Sequence, residues 1–322
     1  MFLEVDTVLV RRRLRRSLGL WRALAVAALI VAFIAISAAG DRLSVVLGGD
    51  QIARVSIEGT ITENRGQLKL LRKLADAKNV KAVLVFVNSP GGTTTGGEAL
   101  FDALRDVAKK KPVVAQFGTI AASAGYIVGL GADHIVSRAN TITGSVGVLI
   151  QWPEVSRLLD NIGVKVNEIK SGPLKAVPSP FRPLKEEGKV VTQSMIDEGF
   201  HWFLSLVEAR RGIKPDDIPG LAQGRVFTGR EAVELKLVDE IGGEDRAVKW
   251  LREKHNIDAS LEVVDWKPKS PVSLGLLSAA GSIAAGLLGD GEGRLVRILG
   301  RDPSLSTLGL DGLVSVWHPS EK

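Results

Sequence analysis

The sequence predicts an α/β domain built on a mainly parallel sheet and carried behind one membrane-spanning helix. Three observations lead there. Apolar runs of strand length alternate with amphipathic helical patterns between about residues 50 and 265. One of those runs is apolar almost throughout, as a strand buried on both faces must be. An uncharged stretch, Ala23–Gly40, follows a cluster of arginines near the N-terminus.

The N-terminal elements come first. Residues 1–22 hold Arg11, Arg12, Arg13, Arg15, Arg16 and Arg22 against Glu4 and Asp6, a local +4 out of the chain's formal +6. The other 300 residues therefore carry only +2, so the basic balance is a topology signal and no nucleic-acid partner is expected. About 18 apolar residues at a rise of ~1.5 Å nearly span the ~30 Å hydrocarbon core. Trp21 sits at interface depth, and Arg22 can extend its charge back to the headgroups. Because the arginines precede the span, the N-terminus should be cytoplasmic and everything after Asp41 extracytoplasmic. Ser37, Ala38 and Ala39 resemble a signal-peptide cleavage site, but the apolar stretch exceeds the ~7–15 residues such peptides use. An uncleaved anchor is expected.

The strands of the exported part are Gln51–Ile57, which alternates, the buried run Lys81–Val87, and the shorter Pro112–Gln116, His134–Val136 and Val164–Ile169. Between them, Gln67–Lys78 and Gly97–Lys111 have helical periodicity, with Leu100, Leu104 and Val107 on one face. Residues 171–184 contain four prolines and should form an ordered loop or an extended arm. A long helix is expected over Glu186–Arg211, shorter ones near Thr228–Leu237 and Glu244–His255, and a last strand over Leu261–Asp265. The predicted layout is thus a basic N-terminus (1–22), an anchor (23–40), a catalytic-size domain (41–266) and a tail (267–322). Within the tail, 272–289 is uncharged but diluted by Ser and Gly, and is expected to pack peripherally or between subunits.

Composition narrows the chemistry. The 45% apolar and 24% charged fractions are those of a globular chain, and the absence of Cys excludes a thiolate metal site and a Cys nucleophile. There is no HExxH pair, P-loop or GxSxG, and the four histidines have no ligand spacing. No metal or cofactor is expected. Two glycine-bearing loops remain. Asn88–Gly92 follows the buried strand, where backbone N–H groups can approach an anion. The second, Thr119–Tyr126, carries Ser123 among Ala and Gly at a helix start. Ser123 there is either a helix cap or a nucleophile whose oxyanion the helix N-terminus would stabilise. A serine needs a base, no His is placed to serve, and a Lys serves only when burial lowers its pKa.

The run Ser89-Pro90-Gly91-Gly92, then Ala122-Ser123-Ala124-Gly125-Tyr126, then Thr143-Gly144-Ser145-Val146-Gly147-Val148 resembles the signal peptide peptidase A family of Ser-Lys proteases. Lys170-Ser171-Gly172-Pro173-Leu174-Lys175 with Ser179-Pro180-Phe181-Arg182 resembles the loop that bears the family's lysine. The resemblance covers about residues 50–255 and implies a Clp protease/crotonase-type fold, an N-terminal anchor and exported proteolysis. By position it implies Ser123 as nucleophile, Lys175 as general base, Ser145 orienting the lysine, and the N–H groups of Gly92 and Ala124 as oxyanion hole. Leu174 and Ala176 depart from residues common beside the family's lysine, and Lys170 is the rival base. The resemblance also implies hydrophobic peptide substrates such as cleaved signal peptides, contact with membrane lipid, and a homo-oligomeric ring. Two other readings are a stomatin-associated Ser-Lys protease, and a crotonase-like acyl-CoA enzyme or inactive scaffold.

Overall fold

The computed structural model of the chain describes Trp21, residues 49–268 and the backbone of residues 314–316. The expected anchor (23–40) and the stretch 272–289 lie outside the described residues. Among the described residues no helix is long and apolar enough to cross a membrane.

Three long parallel strands, β1 (Gln51–Ile61), β2 (Val80–Thr93) and β3 (Val113–Ala122), form the centre of the sheet. Their connections are α1 (Arg65–Asp76) and α2 (Thr94–Ala108), the crossover helices that parallel strands require. Asn64 caps α1 by accepting from the N–H groups of Gly66 and Gln67, and Thr93 caps α2 by accepting from Gly96. α1 buries Leu70, Leu71 and Leu74, and α2 buries Leu100, Leu104 and Val107, both at helical spacing. The short α3 (Ala124–Leu130) is buried at every residue, and its Tyr126 hydroxyl donates to the Leu237 carbonyl at 2.8 Å.

β3 serves two neighbours in turn. Val114–Phe117 pair with β4 (His134–Ser137), and Ile120–Ala122 pair with β5 (Ile142–Gly144). β6 (Val226–Thr228) closes that end antiparallel to β5, β7 (Glu240–Ile241) pairs β4, and β8 (Val263–Asp265) flanks β1. The second face is covered by α7 (Glu244–His255), whose Ala247, Val248 and Leu251 pack with Ile52, Ala82, Leu84, Val114 and Val136. The remaining helices are α4 (Ser156–Asn161), α5 (Glu186–Arg211) and α6 (Gly229–Glu234). β9 (Val314–Val316), from the tail, lies antiparallel to Gly91–Thr93 of β2.

The α/β class and its mainly parallel sheet are therefore as expected, and α5 and α7 have the expected limits. Three local expectations change. Asn88–Gly92 and Thr119–Ala122 are not loops but the ends of β2 and β3, which continue because β1, β5 and β9 supply partners there. Val164–Ile169 forms no strand: its apolar residues stay exposed, Ile169 fully, and no sheet edge reaches them.

Arg54 of β1 ties three elements together. It donates to both Glu244 carboxylate oxygens on α7, at 2.9 and 2.7 Å, and to Asp265 of β8 at 2.5 Å. The hydrogen bond from Arg54 holds the Asp265 carboxyl below its usual range. A depressed carboxylate stabilises the fold above its unfolded pKa of ~3.9 and loses that contribution as pH falls through the folded value. Because the pair is partly exposed, Arg54→Gln should cost about 1 kcal/mol near pH 7. Thermal melts should show the difference from wild type shrinking below about pH 4.

Candidate active site

Ser123 is the first residue after β3 and the cap position of α3. Its backbone stands at φ 58°, ψ −121°, a conformation that a residue with a Cβ adopts only under constraint. The constraints are visible. The Ser123 N–H donates to the Gly144 carbonyl at 2.8 Å, and its own carbonyl accepts from Ile127 at 3.0 Å to begin the helix. Gly125 makes the turn fit, since a Cβ there would stand 2.7 Å from the Ser89 carbonyl oxygen. Ser123 is 1% exposed, and Ala124 opens the helix behind it. The first N–H groups of a helix have no intrahelical acceptor, and that of Ala124 is one of them.

Ser145 follows β5 directly, also at positive φ (52°), with its N–H held by the Arg225 carbonyl at 2.9 Å. Two buried threonines fix that strand beside β3: Thr141 donates to the Gly118 carbonyl at 2.6 Å and Thr143 to the Ala121 carbonyl at 2.7 Å. Ser123 and Ser145 thereby line one cavity of about 470 Å³. Its walls include Val146, Leu149, Ile196 and Phe200, with Gln193 and Asp197 among its polar groups. The α5 residues among them were not singled out from sequence. Only the four-residue step from Ile196 to Phe200 marks a shared helix face, and such a step equally describes a core contact.

Gly92 lies on β2, in register with Ile61 of β1 on one side and Ser315 of β9 on the other. A Cβ there would fall 1.8 Å from the Ile61 carbonyl oxygen, so only glycine allows this approach. Three residues earlier on the same strand, Ser89 pairs with Ala121 of β3, which puts this end of β2 beside the Ser123 turn. The pairing with β9 demonstrates that β2 accepts an extended segment beyond the point where β3 turns away.

Lys175 is not brought into the cavity within this chain. It is exposed on a turn closed by its own N–H to the Gly172 carbonyl at 3.2 Å, and it does not line the space around Ser123. Lys170 is committed to an ion pair with Glu168 at 2.6 Å, and Glu168 also accepts from Arg182. The Lys170 hydrogen bond, with Arg182 adding to it, holds the Glu168 carboxyl below its usual range.

Comparison with known proteins agrees with this architecture. The family model for Peptidase family S49 matches residues 105–258, and that for Clp protease matches residues 50–158. A candidate protease of Synechocystis sp. is 39% identical over 202 residues, 62% of this chain and 73% of its own. A candidate signal peptide peptidase SppA of Enterococcus faecium is 34% identical over 236 residues, 67% of each chain. Protease 4 of Haemophilus influenzae is 35% identical over 248 residues, covering 73% of this chain and 40% of its own. A Clp protease-like α/β domain with these relatives defines a serine peptidase. The chain belongs to peptidase family S49, the signal peptide peptidase A family.

The tight seat of Gly125 yields a direct test. Gly125→Ala would push the Ser123 turn off the Ser89 carbonyl, and misplacement on the order of 1 Å costs about 100-fold in turnover. Peptide hydrolysis by this variant should fall by at least that factor while the folded circular dichroism spectrum is retained.

Proposed function

We propose that the chain is a membrane-anchored endopeptidase in which Ser123 is the nucleophile and Lys175 the general base. Its substrates are hydrophobic peptides near the bilayer, cleaved signal peptides among them. The observation that carries this reading is the constrained turn that holds Ser123 at the start of α3 and at the wall of a cavity lined by both apolar and polar groups. In the proposed reaction the Lys175 amine takes the Ser123 hydroxyl proton as Oγ attacks the scissile carbonyl. The N–H groups of Gly92 and Ala124 stabilise the tetrahedral oxyanion. The protonated lysine then gives its proton to the leaving amine, and water repeats the sequence on the acyl-enzyme. Ser145 holds the lysine in line. The substrate lies extended along Gly91–Thr93, where β9 pairs in this structure.

A lysine works as a base only where burial favours its neutral form, and Lys175 is exposed in the single chain. It belongs to a segment whose Leu158, Ile162, Ile169, Leu174 and Phe181 are exposed as well. Apolar exposure on that scale supports assembly with further copies, which would bury the arm and bring a lysine to a serine. The anchor is proposed at residues 23–40, with the N-terminus cytoplasmic and the peptidase domain outside.

Ser123→Ala and Lys175→Ala should each reduce peptide hydrolysis by more than about 10,000-fold, and the double variant should be no worse than either. Lys170→Ala should keep wild-type turnover, its partner being Glu168. Wild-type rate should rise with pH, because only a neutral amine accepts the proton. A folded Lys175→Ala enzyme with normal turnover would remove that residue from the mechanism.

A further inference from the structure

Parallel strands place their first residues at one edge of a sheet, and at this edge the basic residues are concentrated. Val80 begins β2 and Val113 begins β3. The Gln51 N–H donates to the Asn79 carbonyl at 2.8 Å, so the chain enters the folded unit at the same edge. Around these strand starts stand Arg72, Lys78, Lys81, Lys109, Lys110 and Lys111, with Asp50, Asp76 and Asp106 among them.

Their contacts make them one cluster. Lys110 reaches Asp76 at 2.7 Å across two elements, and Lys109 reaches Asp106 at 2.8 Å. Lys81 Nζ donates to the Lys78 carbonyl at 3.2 Å, and Lys111 Nζ donates to the Ala77 carbonyl. Asp106 also feels the charges of Lys110 and Arg72. Burial first, and then the charge of Lys81, hold the Lys111 ammonium below the usual lysine range. Asp133, which accepts from the Val113 N–H at 3.0 Å, is offset by Arg105 at 2.9 Å, so six cations against Asp50, Asp76 and Asp106 leave +3, more than the +2 carried by the whole chain beyond residue 22. Every member except Lys111 is exposed.

We infer that this strand-start edge is a docking surface for anionic phospholipid headgroups. Two features select a bilayer over other polyanions. The cluster surrounds the point where the chain enters the folded unit, and residues 41–50 can extend at most about 35 Å from the proposed anchor. The cations also spread over the starts of two strands and the ends of two helices, suiting a plane of charge in place of a pocketed ligand. Each lysine near an anionic surface strengthens partition about fivefold. The inference rests on the single-span reading for its geometry and is independent of the peptidase mechanism.

The test is amine-reactive footprinting of the full-length protein in vesicles. One set is phosphatidylcholine, and the other contains about 30% phosphatidylglycerol. Lys78, Lys81, Lys109 and Lys110 should label at least about threefold more slowly in the anionic set, and high salt should erase the difference. Lys165 and Lys189 serve as references and should label equally in both. The variant Lys81→Gln/Lys109→Gln/Lys110→Gln should leave melting temperature and peptide hydrolysis unchanged and abolish the protection at Lys78. Equal labelling of the cluster in both vesicle sets overturns the inference. Protection by added RNA with no effect of the anionic lipid overturns it as well. If the chain floats only with anionic vesicles and the cluster is protected there, the docking surface stands and the anchor reading falls.

Discussion

Everything proposed for catalysis depends on one backbone conformation, the positive φ of Ser123. A residue with a Cβ does not hold φ 58°, ψ −121° of its own accord, and a strain of roughly 1–3 kcal/mol must be met by surrounding contacts. Those contacts come from separate parts of the chain. β5 brings the Gly144 carbonyl, β2 brings the Ser89 carbonyl under Gly125, and α3 donates its first hydrogen bond to the serine's own carbonyl. The sheet order explains why these parts coincide. β3 pairs with β4 over its first half and with β5 over its second, so the strand is held up to the residue before the turn.

What the sequence made legible follows from the kind of interaction involved. Local periodicity located α5 and α7 closely, because helices write their pattern in neighbours three and four positions apart. The buried run Lys81–Val87 announced β2, but its extension through Gly91 and Gly92 depends on β1 and β9, and no local pattern encodes a distant partner. The alternating valines Val164 and Val166 misled for the same reason: alternation describes a strand only where an edge is available to receive it. The Ser123 loop was readable as a candidate because small residues crowd a tight turn, whereas Ser145 came only from the family resemblance. The α5 wall of the cavity was not readable, since Ile196 and Phe200 look like ordinary core positions.

The lysine-bearing arm has a different physical character from the serine-bearing body. Ser123 is fixed by buried backbone hydrogen bonds, whereas Lys175 sits on an exposed turn among exposed apolar side chains. A nucleophile held rigidly in the monomer and a base that needs burial divide the proposed dyad into a preformed half and a half completed by packing.

The parallel direction of β1, β2 and β3 has a metric consequence. The strand starts carry the lysines and the far end of β3 carries Ser123, with the ten residues Val113–Ala122 between them. At ~3.3 Å per residue the two ends are separated by roughly 30 Å. With the basic edge on the lipid, the sheet acts as a ruler standing on the bilayer. A peptide still embedded at one end needs about ten extended residues clear of the headgroups before a bond can reach the serine, whereas a released peptide meets no such length threshold.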